Sequence, residues 1–207
     1  MLIGISGALA LGAMSPGPSF VLVSRTAITN SRLNGLAAAL GMGLGGAVLA
    51  TLAVAGLSAL LLEVGWLYFV LKAAGGLYLI YLGIRIWRGA SGAVTTAEAS
   101  RIAGRSLVRS FLLALVTQIS NPKAIVVYGS IFMALLPASP PFWLLAVLPP
   151  VAFAIETLWY TVVAVAFSAT RPRTFFLGFR GWVDRAAGAL MGMLGARLIL
   201  ESVKSRF

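Results

Sequence analysis

The chain of 207 residues has no cysteine and no histidine, and its acidic residues number five: Glu63, Glu98, Glu156, Asp184 and Glu201. Each absence excludes a class of chemistry. Without thiols there are no disulfides, no thiolate clusters and no cysteine nucleophile. Without imidazole there is no histidine general base and no histidine–metal site. Five scattered carboxylates do not build a carboxylate metal cage, so neither metal nor cofactor is expected. Charge is scarce altogether, at 10% of residues, against about 25% in a soluble protein.

What the chain has in excess is apolar surface. It is 60% hydrophobic before its 23 glycines are counted, where soluble domains reach about 45–50% with glycine included. Mean hydropathy is +0.99. Most of such a surface must face lipid, so the bilayer is its first partner. That excludes a soluble enzyme, a disordered protein and a nucleic-acid-binding domain. The net charge of +11 would otherwise suggest nucleic acid. The basic residues are scattered between apolar runs, however, and read better as a signal of membrane orientation. Ala8-Leu9-Ala10 resembles a signal-peptidase triplet, but no basic residue precedes Arg25 and the apolar run before it is short. The N-terminus is therefore expected to stay in the mature protein.

A spanning helix needs about 20 mostly apolar residues. Six stretches qualify: 2–23, 35–62, 66–87, 107–136, 142–168 and 183–200. Their continuous apolar runs favour helices over the alternating segments of a barrel. With six spans, Arg25, Arg32, Arg85, Arg88, Arg101, Arg105, Arg109, Arg171, Arg173 and Arg180 fall in three loops on one side. The opposite loops carry only Glu63. The positive-inside rule then puts the three Arg-rich loops in the cytoplasm and both termini outside. Trp66, Trp87, Trp143 and Trp182 lie near span ends, as an aromatic belt requires.

The two halves resemble each other. Lys72-Ala73-Ala74-Gly75-Gly76-Leu77, then Leu82-Gly83-Ile84-Arg85, matches Arg185-Ala186-Ala187-Gly188-Ala189-Leu190, then Leu194-Gly195-Ala196-Arg197. Residues 1–95 form a first three-helix repeat, 96–106 a polar loop and 107–207 a second repeat. Three spans is an odd number, so the second unit runs opposite to the first. The predicted fold is an all-α integral membrane protein: six transmembrane helices in two inverted repeats, a plan common among secondary transporters.

Helices 1 and 4 are broken at matching places, by Ser15-Pro16-Gly17-Pro18 and by Ser120-Asn121-Pro122-Lys123. Pro16 leaves the Gly12 carbonyl without its helical donor, Pro18 does the same to Met14, and Pro122 to Gln118. Ser15 and Asn121 are good N-caps before a proline at the first helical position. Each motif reads as the start of a new half-helix, whose free amides and positive dipole end face inward. Irregular backbone survives in hydrocarbon only when buried or lining a cavity. Two breaks, one per half, point to a transport site, although a packed proline kink is the plainer alternative for each.

Several side chains join that site. Ser15, Pro16, Gly17, Pro18 and Ser19 come from the first break. Gln118, Asn121, Pro122 and Lys123 come from the second. Lys123 either meets a substrate carboxylate or spends its charge on Glu156 or on freed carbonyls. Glu156, mid-way along the fifth span, is an expensive intramembrane carboxyl and a functional candidate by default. It is read as a proton carrier, the partner of a substrate ammonium, or half of a structural ion pair. The pairs Gly41/Gly45 and Gly188/Gly192 have the four-residue spacing of close helix packing.

The two proline motifs, the stretch Gly35-Leu36-Ala37-Ala38-Ala39-Leu40-Gly41-Met42-Gly43-Leu44-Gly45 and the run Lys72–Gly83 together resemble the LysE-type amino-acid exporter superfamily, in its threonine/homoserine (RhtB) branch. The resemblance covers nearly the whole chain. It implies an exporter of amino acids or related small metabolites in a bacterial inner membrane, driven by the proton motive force. Many members carry an acidic residue or histidine after the glycine run of the second span. Here that stretch is Gly45-Gly46-Ala47-Val48, a departure that bears on coupling.

Three function classes remain to weigh. The leading one is a secondary exporter of a small zwitterion, with protons as the coupling partner and a homo-oligomer left open. An intramembrane enzyme lacks a nucleophile–base pair. A channel should show rings of charge or a repeated filter, and the sequence shows neither.

Overall fold

The computed structural model describes residues 1–15, 17–63, 65–88, 106–137, 139–168, 182, 185–186 and 188–200. Residues 96–105 of the polar loop expected at 96–106, the arginines at 101, 105, 171, 173 and 180, and Pro16 lie outside the described residues. Among the described residues the chain is all helical: α1 (Leu2–Met14), α2 (Pro18–Thr29), α3 (Arg32–Glu63), α4 (Gly65–Trp87), α5 (Leu107–Ile119), α6 (Pro122–Leu135), α7 (Phe142–Phe167) and α8 (Gly188–Leu200).

This is an integral membrane protein. Within α3 the stretch Arg32–Gly56, and the whole of α7, are long and apolar enough to cross a bilayer. The pairs α1+α2 and α5+α6 pass the same test jointly, with bends of 59° and 56° at their breaks. Leu52, Leu158 and Val162 project outward from the long helices, as lipid-facing residues do.

The first span extends beyond its expected end at residue 23. Its polar residues mislead: Ser24 and Thr26 are buried, and Ser24 Oγ donates back to the Val21 carbonyl at 3.1 Å. A hydroxyl satisfied within its own helix does not stop it. The chain turns after Thr29, and Ser31 caps the start of α3 at Arg32. Ser31 Oγ accepts the Asn34 backbone N–H at 3.1 Å and donates to Asn34 Oδ1 at 2.7 Å. Asn34 Nδ2 then donates to Ser110 Oγ at 2.9 Å, which ties α3 to α5.

Helix α3 runs between α5 and α7, and its glycines make that possible. A Cβ on Gly41 would meet the Phe111 carbonyl and come within 3.0 Å of Ala114 Cβ, both on α5. Gly45 faces Gln118 of α5, while Gly43 and Gly46 face Thr157 and Glu156 of α7. The expected packing role of Gly41 and Gly45 is what their contacts describe. Gly41→Ala should lower stability by about 1–3 kcal/mol, the usual cost of overpacking, since backbone is what it meets. Thermal unfolding in detergent checks this, and an unchanged midpoint would contradict it.

The α4–α8 contact is also glycine on glycine. A Cβ on Gly76 would lie 2.9 Å from the Gly195 carbonyl, and one on Gly83 would lie 2.6 Å from the Gly188 carbonyl. The two helices therefore cross antiparallel with their backbones touching.

Two apolar clusters fill the interior. One gathers Ile5, Leu9, Leu49, Leu79, Ile131, Phe132, Leu144 and Leu148. The other gathers Phe20, Val23, Met42, Val163, Ala164 and Phe167, with Phe20 and Phe167 edge to face at 5.6 Å. Gln118 and Glu156 are buried at the seam between these clusters.

Candidate functional site

The two helix breaks meet at that seam. Asn121 holds the N-cap of α6: its Oδ1 accepts the Lys123 backbone N–H at 3.1 Å, and Pro122 takes the first helical position. That is the arrangement the sequence predicts.

The breaks correct two expectations, one each. Ser15 does not cap the new half-helix. The helix restarts at the second proline, Pro18, so Gly17 takes the cap position without a side-chain bond. Ser15 instead closes α1, donating its backbone N–H to the Leu11 carbonyl. Nor is the Gln118 carbonyl left open by Pro122, because the Asn121 N–H reaches it at 3.2 Å in a tighter turn. The Gly12 carbonyl does lose its helical donor, since residue 16 is proline.

Lys123 answers that loss. Its Nζ donates to the Ser15 carbonyl at 2.6 Å, to Ser15 Oγ at 2.9 Å and to the Gly12 carbonyl at 3.5 Å. Of the roles open to Lys123, these bonds are those of a cap on freed carbonyls.

A buried polar chain runs from there to Glu156. Asn121 Nδ2 donates to Ser19 Oγ at 2.9 Å, and Ser19 Oγ donates to Gln118 Oε1 at 2.6 Å. Gln118 Nε2 donates to Glu156 Oε1 at 3.1 Å, and the Tyr128 hydroxyl donates to the same oxygen at 3.1 Å. Glu156 Oε2 is buried and accepts no hydrogen bond. An unsatisfied carboxyl oxygen in a low-dielectric interior is costly.

Ser15, Gly17, Ser19, Gln118, Asn121, Lys123 and Glu156 all line one cavity. Pro18 and Pro122 hold the first positions of α2 and α6, and Pro16 lies outside the described residues. The free space is about 20 Å³, room for a water and too little for an amino acid. Among the described residues no three metal-ligating side chains are gathered.

Two polar side chains in the lining were not among the expected site residues, Tyr128 and Tyr160. Helical spacing carries a signal for both. Tyr160 is one turn beyond Glu156, and Tyr128 is two turns beyond Asn121. Tyr128 needs Glu156 from another helix before its role can be seen.

The profile of the LysE type translocator family matches residues 10–202. The chain belongs to that family. The translocator is 36% identical to the threonine efflux protein of Salmonella typhi over 194 residues, 91% of this chain and 92% of that one. It is 35% identical over 193 residues to the threonine efflux protein of Escherichia coli (strain K12), with the same coverage. A leucine efflux protein of Salmonella choleraesuis is 29% identical over 188 residues, 86% of this chain and 83% of that one. No solved structure matches the chain. The family is the one its motifs resemble, and the threonine efflux relatives fit the branch named above. This translocator is a multi-pass membrane transporter and not an enzyme.

Proposed function

We propose that this translocator is a secondary active exporter of amino acids or related small zwitterions, coupled to protons, in a bacterial inner membrane. The substrate sits where the two broken helices meet. Its carboxylate is received at the N-terminal amides of α6, beside the Lys123 charge, and its ammonium by carbonyls of the breaks that Lys123 does not hold. Glu156 Oε2 carries the proton. The single observation behind this reading is the buried Ser19–Gln118–Glu156 chain, which joins both breaks and ends on an unsatisfied carboxyl oxygen.

The carrier works by alternating access between two inverted three-helix units. Supporting this, Gly76 meets Gly195 while Gly83 meets Gly188. One shift along the chain carries Gly76 to Gly188 and Gly83 to Gly195, so the contact has the reciprocal form of a two-fold interface. The small cavity and the apolar clusters on both sides of it fit a closed intermediate between inward and outward states. The three Arg-rich loops face the cytoplasm and both termini face outward.

An untargeted comparison of metabolites released by cells with and without the protein tests the reading. One or a few amino acids should accumulate outside in the expressing cells. Identical media would contradict the assignment.

A further inference from the structure

We propose that the oxygens at the open end of α1 form a monovalent-cation seat, and that the protein's own Lys123 ammonium occupies it in place of a diffusible ion. Three oxygens converge there: the Gly12 and Ser15 carbonyls and Ser15 Oγ, at 3.5, 2.6 and 2.9 Å from Nζ. The carbonyls sit at the negative end of the α1 dipole. Carbonyls at the ends of discontinuous helices are the ligands that hold alkali cations in carriers of this plan. An ammonium brings the same single charge, and its three N–H donors match three acceptors.

The geometry delivers Lys123 to this seat from the other half of the chain. It follows Pro122 on α6, and its stem passes Gly17, where a Cβ would lie 3.3 Å from Lys123 Cδ and 3.5 Å from Nζ. The lysine is thus covalently part of α6 and electrostatically part of α1. A cation held this way cannot leave, so the seat needs neither sodium nor potassium. Glu156, the other charged side chain lining the cavity, is left to carry the exchangeable charge. The consequence for coupling rests on the reading of this cavity as a transport site, whereas the seat itself is measured without transport.

The test uses the purified full-length protein in detergent. Thermal unfolding is followed for wild type, Lys123→Ala and Lys123→Met in choline, sodium, potassium and methylammonium chloride at equal ionic strength. Lys123→Met keeps a packed stem along Gly17. Wild type should unfold at one midpoint in all four salts. Both variants should unfold earlier in choline, which is too large for the seat. Methylammonium or an alkali cation should restore several degrees. Variants with the same midpoint in all four salts would overturn the proposal. So would a wild-type response as large as the variants', or variants that no cation lets fold. Unchanged export by both variants with cation rescue intact would count against the transport reading and leave the seat standing.

Discussion

Glu156→Gln should abolish export driven by a pH gradient in proteoliposomes, a fall of about 100-fold or more, equivalent to roughly 2.7 kcal/mol. Exchange of internal for external substrate should continue within a few-fold. Glutamine keeps the shape of the side chain and can still accept from Gln118 and Tyr128 at the position of Oε1. It cannot take up and release a proton at the position of the unsatisfied Oε2. A carrier that exchanges substrate for substrate turns over without a net proton, so exchange should outlive coupling. Glu156→Ala is the contrasting variant. It leaves the Gln118 and Tyr128 donors buried without an acceptor, at about 1–3 kcal/mol each, and should lose stability as well as coupling. Unchanged gradient-driven export in Glu156→Gln would remove Glu156 from the mechanism. Equal loss of export and exchange would make it a structural residue.

Gly46→Ala should lower transport by about tenfold or more, with a stability loss of about 1–3 kcal/mol from overpacking. A Cβ on Gly46 would lie 2.8 Å from both Glu156 Cγ and the Tyr128 hydroxyl. Those two groups share one hydrogen bond, and the added methyl presses on both ends of it. Gly46 thus makes the room in which a carboxyl arriving from α7 can lie against α3. That gives a physical sense to a glycine at this point of the stretch Gly45-Gly46-Ala47-Val48. Gly129→Ala is the control, because nothing lies within 4 Å of where its Cβ would be. Initial rates and unfolding midpoints of the two variants decide the matter. Indistinguishable behaviour of Gly46→Ala and Gly129→Ala would contradict the account.

The parts of the site legible in the sequence are those governed by local chemistry. Asn121 caps α6 and Pro122 starts it because a proline's missing N–H and fixed φ act within one turn. Glu156 was legible because a carboxyl in an apolar run is expensive wherever it lands. What was not legible depends on groups far apart in the chain. Ser15 looks like a cap, but the Lys123 ammonium, 108 residues away, engages it at the end of α1. Tyr128 stands out only once α7 brings Glu156 against it. The Gly188/Gly192 spacing does mark a close-packing face, but that Gly83 of α4 is what both glycines meet depends on the other half of the chain. The first span runs past residue 23 because Ser24 and Thr26, polar by type, are both buried.

The central claim is that the junction of the two broken helices binds and carries the substrate. The most direct measurement is the initial rate of amino-acid efflux from proteoliposomes over a wide range of internal concentration, for wild type and for Asn121→Ala. That substitution removes the cap of α6 and the bond to Ser19 together. The account predicts a saturating curve for wild type and a KM raised about tenfold in the variant, near 1.4 kcal/mol of lost binding. A flux that rises linearly without saturation, or a variant curve that overlays the wild type, would contradict it.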